Sequence, residues 1–571
     1  MASDRARMRP IWHPAESWIL TTAIGLFGMV FVVGPSVQHG RIPGDIGDAR
    51  FNLYVLEHVY RWLVGKTHHF WSAPIFYPYP LAIAFSDNFL GDGTIYALAR
   101  VAGMVPEDAF RLWYALGFGI NFAVASLVLN RLGYSQLAAA LGAFLFTFGM
   151  PVTVQEGHAQ LIYRFGVPLA TMALLQARGA RPLLSLGMAL FWTTWQFYCS
   201  IYIGYFLILF LASLVIGMGL CAEAGPVAGV CGLPMAALRI WNAQPLRAKL
   251  LFLAAIATLL ALLALLFMPY IMASHIYGFR RSWAEIATML PRPVSYLYSS
   301  DSRLWPSSGA LFNALPMPGE QSMFVGVAPF LAVTVRVCLR LARRIQTDRL
   351  FGPVSAALLM LVIGTLYVHG YTLYRPLAAL PGADAIRAVS RIIVVMLFPM
   401  GLLVASSFDA IMRLRGSVVA RTAAVAVLGT LIALEASLTS HYTSTKRDWQ
   451  ARMAAVAALL PPNLPPDPIL LLGPAPNEPW FATQIDAMLF AQKRGWRTIN
   501  GYSGNLPTGY EIPTTCQQGL SDLQHGLALL NPARDYQSVA SQVLMLRYPP
   551  SCKDLARSRG PRATSLRGAK R

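Results

Sequence analysis

The sequence predicts an all-α multi-pass membrane protein with a smaller C-terminal α/β domain. The chain has 571 residues, of which 56% are hydrophobic and 13% are charged, and its mean hydropathy is +0.50. Soluble globular proteins carry about 25% charged residues. The apolar residues come in runs of about 17–23, a length that crosses the hydrocarbon core of a bilayer. These observations exclude a soluble enzyme, a disordered chain and a small disulfide-built secreted domain.

About eleven apolar runs are candidate transmembrane helices. The N-terminal segment before them, residues 1–14, carries Arg5, Arg7 and Arg9 without a cleavage site, which predicts an uncleaved cytoplasmic end. If the first span runs outward, all the basic connections between spans fall on the cytoplasmic side. The spans are residues 18–37, 112–130, 136–154, 161–177, 182–198, 201–220, 250–272, 322–339, 351–368, 391–408 and 422–440.

The excess of basic residues is attributed to this topology. The chain has 46 Lys and Arg against 26 Asp and Glu, a formal net charge of +20. Many of the basic residues lie in short segments between apolar runs, such as Arg131, Arg178 and residues 336–349 and 413–421. Loops of this kind are retained in the cytoplasm. No nucleic-acid partner is therefore expected.

If the first span runs outward, the long segments between and after the spans lie on the outer side of the membrane. They are residues 38–111, the first outer loop, residues 273–321, the shorter loop 369–390 and everything after 440. Connections of unusual length are more often functional than idle. We therefore expect the chemistry of this protein on its outer side.

The chain is predicted to divide into two domains. Residues 1–440 form the polytopic membrane domain, and residues 441–571 form a soluble extracytoplasmic domain with a strand-like apolar run at 469–473. The last stretch, about 553–571, is basic and rich in Gly and Ser. That composition predicts a disordered tail that rests on anionic lipid headgroups.

The six cysteines do not predict a metal site. Four of them lie in or beside spans without ligand-like spacing. Cys516 and Cys552 are the two cysteines of the outer domain. An oxidising compartment permits a disulfide bridge between them, but the sequence does not give their separation in space.

The densest polar cluster follows the first span directly. Asp45 and Asp48 lie three residues apart among glycines, and Arg50, Glu57 and His58 follow on an amphipathic stretch. Their spacing places the later polar groups near one helical face. A solvated loop and a helix lying on the membrane would explain the pattern. Alternatively, a carboxylate near a dry interface has a raised pKa and serves as a base.

An aromatic, proline-rich run comes next in the first outer loop. It spans residues 70–80 and includes Tyr77, and a second polar group, Asp87, follows within residues 85–88. Interfacial Trp and Tyr are common as membrane anchors. The functional alternative is a stacking surface for a sugar or a wall for a lipid chain, which the prolines would make rigid.

Taken in order, these segments resemble the bacterial members of the C-type (GT-C) membrane glycosyltransferase superfamily. The resemblance covers nearly the whole chain, although each motif is short. The segments that carry it are residues 44–48 (GDIGD), 76–80 (FYPYP), 85–91 (FSDNFLG), 156–161 (EGHAQL), 386–391 (IRAVSR) and 500–507 (NGYSGNLP).

The resemblance implies a GT-C-like helical fold in the bacterial inner membrane and a polyprenyl-phosphate-linked sugar donor. The sugar would pass, on the outer side, to a glycan, lipid or protein acceptor of the cell envelope. An acidic residue in the first outer loop acts as base or orienter in this superfamily, a role that fits Asp48 best and Asp45 second. The residues expected to bind substrate are Arg50, Glu57, His58, Tyr77, Asp87, His158, Arg164, Arg387 and Arg391.

Cations are needed where charge grows on the leaving lipid phosphate. Arg387 and Arg391 lie at the outer mouth of one span, and His158 and Arg164 lie at another. Arginine offers a planar, permanently charged fork for phosphate. For Arg387, a surface anchor is the alternative role.

No cofactor is indicated with certainty. The first outer loop has no Asp-x-Asp motif, because two residues separate Asp45 from Asp48, so a divalent metal is left open but not indicated.

Three other functions compete with glycosyl transfer. An envelope polysaccharide polymerase or ligase would share the lipid-phosphate chemistry, and a non-catalytic relative would merely bind the donor. A transporter or flippase of lipid-linked sugar should show ionisable groups at midplane depth or repeated halves. The predicted spans have one clear buried charge, Glu435, and no visible repeat.

Overall fold

The computed structural model describes residues 14–346, 348–380, 382–475, 477–513, 515–531 and 533–548. The predicted disordered tail and Cys552 lie outside the described residues, and so does the side chain of Cys516. The Cys516–Cys552 bridge therefore stays a prediction.

The first part of the chain crosses the bundle, forms the first outer segment and returns. A short π-helical stretch, Met29–Val33, continues the first helix. The elements are α1 (Pro14–Gly28), α2 (Gly34–Val37), β1 (Arg41–Pro43), α3 (Asp48–Leu63), α4 (Gly93–Val101) and α5 (Pro106–Arg131).

The middle of the chain is mainly helical. Its helices are α6 (Gln136–Phe148), α7 (Met150–Thr153), α8 (Gly166–Gln176), α9 (Pro182–Cys199), α10 (Ile201–Leu220), α11 (Pro226–Cys231), α12 (Leu233–Asn242), α13 (Leu246–Tyr277), α14 (Trp283–Thr288), α15 (Ala310–Asn313), α16 (Val327–Leu341), α17 (Phe351–Thr365), α18 (Tyr374–Ala378), α19 (Ile393–Met412) and α20 (Val418–Glu435).

The C-terminal part alternates strands and helices. Three of its strands form a parallel sheet in the order β4-β3-β5. The central strand is apolar and buried along its length, as expected where helices cover both faces of a parallel sheet. The elements are β2 (Thr443–Thr445), α21 (Lys446–Ala458), β3 (Ile469–Leu472), α22 (Trp480–Arg494), β4 (Arg497–Thr498), α23 (Cys516–Leu530), α24 (Tyr536–Ala540) and β5 (Val543–Leu546).

Within the described residues, seven helical segments are long and apolar enough to cross a membrane, so the chain is a multi-pass membrane protein. The other four predicted spans correspond to α8, α9, α16 and α17, which are helices outside that group of seven. The count of about eleven crossings stays a prediction. The seven segments are Trp18–Val37, Pro106–Arg131, Gln136–Thr153, Ile201–Leu220, Leu246–Tyr277, Val389–Met412 and Val418–Glu435.

Contacts of the connections before and after α16 distinguish the two ends of the bundle. Before α16, Glu320 pairs with Arg391, which lies at the start of the α19 segment. After α16, Asp348 accepts hydrogen bonds from Tyr134 at 3.0 Å and from Ser406 near the end of α19. The two ends of α19 are about 30 Å apart, because a helix rises 1.5 Å per residue. We call the end that carries Glu320 and Arg391 the outer end.

Helix α19 is the centre of the bundle. Its membrane segment is almost entirely buried, and it packs most closely on α6. A Cβ atom added to Gly142 of α6 would lie 2.4 Å from the carbonyl oxygen of Gly401. Small residues of this kind let two membrane helices approach backbone to backbone.

The first outer segment and the C-terminal part form one layer over the outer end. Strand β1 pairs antiparallel with β2, so that Ile42 lies opposite Ser444. Helix α22 packs on α3, where the side-chain amide of Gln492 donates to the carbonyl oxygen of Tyr54 at 3.0 Å. This layer brings residues of the C-terminal part to the start of α3.

Candidate active site

A cavity of about 430 Å³ opens at the outer end, where four connections meet. Three carboxylates line it, those of Asp45, Asp48 and Glu320, together with His158 and Tyr442. We call it the carboxylate cavity. The rest of its wall consists of Val154, Gln155, Gly157, Met317, Pro318 and Gly319.

The acidic turn reaches this cavity because of Gly44. This residue has a φ of +83°, which L side chains rarely adopt, and an added Cβ would lie 2.6 Å from the Cβ of Ala49 and 3.0 Å from the Cα of Gly157. Asp48 then begins α3, where a carboxylate interacts favourably with the helix dipole. The Asp48 side chain is 42% exposed and so accessible to a substrate.

Both aspartates accept a hydrogen bond from a tyrosine of the C-terminal part. Tyr502 donates its hydroxyl proton to Oδ1 of Asp48, and Tyr442 donates to Oδ2 of Asp45 at 3.0 Å. The other oxygen of Asp48 lies 3.6 Å from Nε2 of His158. Asp45 Oδ1 is buried and has no hydrogen-bond partner among the described residues. Asp48, whose side chain is 42% exposed, is therefore the better placed of the two to meet a substrate proton.

His158 lies between two carboxylates, with Nε2 3.6 Å from Asp48 and 3.7 Å from Glu320. Burial lowers the pKa of His158, and Arg391 lowers it further, whereas the two carboxylates oppose the shift. The imidazole is therefore neutral at neutral pH. A neutral imidazole can both donate and accept a hydrogen bond.

Glu320 and Arg391 form a bidentate ion pair, in which Glu320 lines the cavity and Arg391 lies behind it. Nε of Arg391 lies 2.9 Å from one carboxylate oxygen and Nη2 lies 2.6 Å from the other. Burial by itself would raise the pKa of Glu320, but Arg391 and His158 lower it to about 2. The Arg391 guanidinium is thus already held by a carboxylate.

Arg387 has a different environment. It forms an ion pair with Glu285 at 3.0 Å, and the same carboxylate oxygen is 3.0 Å from Arg281. Arg281 also donates to the carbonyl oxygen of Gly504 at 2.5 Å. Because two guanidinium groups share one carboxylate, this cluster keeps a net positive charge, and about a third of the Arg387 side chain is exposed.

Tyr502 is held in place by three aromatic rings. Its ring centroid lies 5.5 Å from that of Phe51, 5.7 Å from that of Trp480 and 6.2 Å from that of Phe481. Burial and the nearby Asp48 carboxylate raise the pKa of the Tyr502 hydroxyl, so it stays a proton donor. The segment 500–507 was recognised in the sequence, but no residue of it was predicted in the site.

The sequence reasoning also missed Glu320, Tyr442, Glu285 and Arg281. Each lies in a segment without a recognisable motif. Each belongs to the site only because its side chain contacts another residue of the site. No signal within one sequence identifies such partners.

Two predicted substrate-binding residues lie on the other face of α3, away from the carboxylate cavity. Arg50 is buried and pairs with Asp486 of α22 at 2.6 Å. Glu57 pairs with Arg100 at 2.7 Å and accepts a hydrogen bond from Tyr96 at 2.8 Å. Both line a second, larger cavity.

His58 and Tyr77 are used in packing. His58 is buried and lies 2.8 Å from the carbonyl oxygen of Phe70, and burial lowers its pKa to about 4. Tyr77 packs on the C-terminal sheet, with the Arg497 guanidinium 4.9 Å from its ring centroid. Neither residue lines a described cavity.

Asp87 and Arg164 are held between helices of the bundle. Asp87 accepts a hydrogen bond from the backbone nitrogen of Ile201 at 2.9 Å, at the start of α10, and burial raises its pKa to about 6. Arg164 is fully buried and donates to the carbonyl oxygens of Phe146 at 3.1 Å and Val394 at 3.3 Å. The structure does not bring either residue to the carboxylate cavity.

The described part of the chain contains no group of three or more His, Cys, Asp or Glu side chains arranged to hold a metal ion. In the carboxylate cavity, Asp45 and Asp48 are bonded to different tyrosines and Glu320 is bonded to Arg391. We therefore assign no metal-binding role to these residues.

Comparison with known proteins gives low similarities. No protein-family model and no curated protein sequence matches the chain. The archaeal oligosaccharyltransferase AglB from Archaeoglobus fulgidus, solved with an inhibitory peptide and a dolichol-phosphate, is similar over 85% of this chain, with 13% identity and a TM-score of 0.47. The chain spans 64% of the length of that AglB chain.

Two further solved structures are similar to comparable degrees. The apo oligosaccharyltransferase from Archaeoglobus fulgidus matches 92% of this chain and 69% of its own length, with 13% identity and a TM-score of 0.47. Apo ArnT from Cupriavidus metallidurans matches 96% of this chain and 95% of its own length, with 12% identity and a TM-score of 0.46. At these values, function has to be argued from the site itself.

Proposed function

We propose that this chain is a C-type membrane glycosyltransferase that moves a sugar from a polyprenyl-phosphate-linked donor to an acceptor hydroxyl. One observation carries the proposal. Four segments singled out by the resemblance, far apart in the sequence, meet in or directly behind the carboxylate cavity. They are residues 44–48, 156–161, 386–391 and 500–507.

Asp48 is the proposed base. The acceptor oxygen forms a bond to the anomeric carbon of the sugar while the bond from that carbon to the donor phosphate oxygen breaks. The hydroxyl proton passes to the carboxylate of Asp48, and the lipid phosphate leaves with the electron pair. A positioned base contributes about 10²–10⁴-fold to such a step. The exposure of Asp48 in the cavity and the hydrogen bond from Tyr502, which fixes the carboxylate, support this role.

Arg387 and Arg281 are proposed to bind the donor phosphate. Their cluster has one more positive charge than negative charge, and Arg387 is partly exposed. A preorganised cation stabilises the charge that develops on a leaving phosphate. Arg391 is proposed to act indirectly, because it holds Glu320, which lies against His158.

A transporter or flippase of lipid-linked sugar is less well supported. The one clear charge of the predicted spans, Glu435, accepts hydrogen bonds from the first backbone nitrogens of α16, at 2.7 Å from Val327, and from the indole of Trp305 at 2.9 Å. It therefore caps a helix at the outer end. An ionisable residue on a transport path would be expected at midplane depth.

The cellular setting is part of the same proposal. We place the outer end on the extracytoplasmic side of a bacterial inner membrane, with about eleven crossings, and we propose a cell-envelope glycan, lipid or protein as acceptor. The clustering of the predicted outer connections at one end of the bundle supports this arrangement. A polysaccharide polymerase or ligase is the second candidate, since it would use the same donor chemistry.

Release of polyprenyl phosphate tests the proposal. The purified full-length chain in neutral detergent would be incubated with a panel of polyprenyl-phosphate sugars, with Asp48→Asn as the matched control. We expect one donor to yield free polyprenyl phosphate in an Asp48-dependent manner. Movement of intact donor between vesicle leaflets, with no release from any donor, would instead identify a flippase.

A further inference from the structure

A second cavity, of about 930 Å³, lies between α3, the connection from α4 to α5, and helices α21 and α22. Six basic side chains line it. Arg50 and Arg100 are held in ion pairs with Asp486 and Glu57, and the other four are Arg61, Lys66, Lys493 and Arg494. We call it the basic cavity. We propose that it binds the phosphate group of an amphiphilic ligand at a site separate from the carboxylate cavity.

The charge of the basic cavity is unbalanced. Its wall contains two acidic residues, of which Glu57 is paired with Arg100. Within the described part of the chain, Arg61, Lys66, Lys493 and Arg494 form no ion pair. Several unpaired cations that face one space create a positive potential that attracts an anion.

The basic residues also differ in their chemistry, which suits a phosphate. Arg61 and Arg494 provide planar guanidinium groups that match phosphate oxygens in pairs, whereas Lys66 and Lys493 act as point charges. Arg494 is partly fixed, because its guanidinium lies 5.6 Å from the ring centroid of Phe490 and 5.7 Å from that of Trp496. Such stacking reduces the entropy lost when the side chain binds.

Part of the lining of the cavity is apolar, which indicates an amphiphile rather than a simple ion. The side chains that form it are Leu53, Met104, Val105, Met453, Leu489 and Phe490. Val105 directly precedes α5, one of the seven potential membrane helices, so this wall lies at the predicted membrane surface. Next to it, Leu98 and Val101 of α4 are 71% and 67% exposed, as expected for side chains in contact with lipid.

The Arg61 end of the basic cavity is distant from the proposed base. Asp48 begins α3 and Arg61 lies thirteen residues later on the same helix, a separation of about 20 Å at 1.5 Å per residue. A phosphate bound by Arg61 would therefore not be the one that leaves during transfer. The site would hold either a membrane lipid or the phosphorylated head of a lipid acceptor, which share the same chemistry.

Stabilisation of helix ends is the alternative role for three of these cations. Arg61, Lys493 and Arg494 lie in the last turns of α3 and α22, where basic residues interact favourably with the helix dipole. That role predicts an effect on stability but no phosphate affinity. Residues 549–571 cannot neutralise the cavity electrostatically, because this segment is itself basic.

Equilibrium binding to the full-length protein tests the proposal without any need for turnover. Dioctanoyl phosphatidic acid, dioctanoyl phosphatidylcholine and inorganic phosphate would be titrated by calorimetry into the native chain and the double variant Lys493→Gln/Arg494→Gln in neutral detergent. Each basic residue near a membrane contributes enough electrostatic attraction that we expect the double variant to bind phosphatidic acid about 30-fold more weakly. The matched control is Arg534→Gln/Arg547→Gln, which removes two exposed charges of the same domain that do not line the cavity.

The outcomes distinguish the sources of phosphate and can overturn the proposal. Binding of phosphatidic acid but not of inorganic phosphate identifies a lipid ligand, and competition by inorganic phosphate identifies the phosphate group as sufficient. Equal phosphatidic acid affinity in the native chain and in Lys493→Gln/Arg494→Gln, or equal loss in the control, overturns the site. Binding that persists in Asp48→Asn separates this test from the proposed transfer reaction.

Discussion

The hydroxyl of Tyr502 donates a hydrogen bond to the Asp48 carboxylate across 454 residues of sequence. Asp48 lies at the start of α3 in the first outer segment, and Tyr502 lies in a loop that follows β4 of the C-terminal sheet. The bond therefore forms only when the C-terminal part is packed against the bundle. The orientation of the Asp48 carboxylate thus depends on this packing.

The first prediction concerns Asp48 itself. Asp48→Asn keeps the size of the side chain but removes its basicity, so turnover should fall by about 10²–10⁴-fold while donor binding and folding persist. Asp45→Asn should cost less, because Asp45 is bonded to Tyr442 and one of its carboxylate oxygens is buried. Release of polyprenyl phosphate measures both variants. Full activity in both single variants and in the double variant would end the assignment of a carboxylate base.

The second prediction isolates the tyrosine. Tyr502→Phe keeps the ring among Phe51, Trp480 and Phe481 but deletes the hydroxyl that holds Asp48. A hydrogen bond to a charged group contributes about 1.5–3 kcal/mol, so turnover should fall by about tenfold or more with the thermal midpoint little changed. Single-turnover kinetics measures the effect. Tyr442→Phe, which affects Asp45 instead, is the matched control, and an equal loss in the two variants would contradict a special role for Tyr502.

The third prediction separates the two arginines that sequence reasoning grouped together. Arg387→Gln should weaken donor binding by about 10- to 100-fold with little effect on stability, because its side chain is partly exposed and Arg281 can keep Glu285 paired. Arg391→Gln should instead destabilise the protein by up to about 3 kcal/mol, because it leaves Glu320, whose side chain is only 13% exposed, without its partner.

A double-mutant cycle checks this separation. Arg391→Gln/Glu320→Gln should recover much of the stability that Arg391→Gln loses, since no unpaired charge remains. Donor titration and thermal unfolding would be measured on the same preparations. If Arg391→Gln weakened donor binding without loss of stability, Arg391 rather than Arg387 would be the phosphate ligand.

The fourth prediction is a pH dependence in the C-terminal domain. Asp522 is buried on α23 and accepts a hydrogen bond from the backbone nitrogen of Glu511 at 3.0 Å, and burial raises its pKa from 3.8 to about 7. A raised carboxyl pKa means that the folded state binds the proton more tightly than the unfolded state. Stability from this group is therefore highest below about pH 4 and is lost as pH rises toward about 7.

Asp522→Asn should remove this loss, because the amide stays neutral and its oxygen can still accept the same hydrogen bond. The thermal midpoint of the variant should exceed that of the native chain by an amount that grows from about pH 4 to about pH 7 and then levels off. Asp467→Asn is the control, because Asp467 is largely exposed in a surface ion pair with Arg497. A difference between native and Asp522→Asn protein that does not change with pH would refute the ionisation of Asp522 as its cause.

The fifth prediction concerns topology. Alkaline phosphatase is active only outside the cytoplasm, so a fusion after Ser440 should be active and a fusion after Arg343 should be inactive. Ser440 bonds to Asp301 in an outer connection, whereas Arg343 follows α16 near the inner contact of Asp348. An active Arg343 fusion together with an inactive Ser440 fusion would show that the chain has the opposite orientation.

The class of protein and much of its helical layout could be predicted from composition and from the lengths of the apolar runs. Composition and run length identify membrane helices because the bilayer imposes one length on every crossing, and each of the eleven predicted spans overlaps a helix. The predicted outer connections also meet at one end of the bundle, as in the contacts of Asp45 with Tyr442 and of Glu320 with Arg391. The apolar run at 469–473 contains a buried strand, because a strand covered on both faces has no polar side.

Which polar residues share a site depends on how the helices and the C-terminal part pack together. The sequence placed Asp48, Arg50 and Glu57 together, but the docking of α22 separates them, since Arg50 pairs with Asp486 on one face of α3 while Asp48 meets Tyr502 at its start. Helical periodicity gives the face on which a residue lies, but not the element that packs against that face. Electrostatic partners are set by distance in space. For this reason the second cavity, and the ion pairs of Arg387 with Glu285 and of Arg391 with Glu320, could be found only in the folded chain.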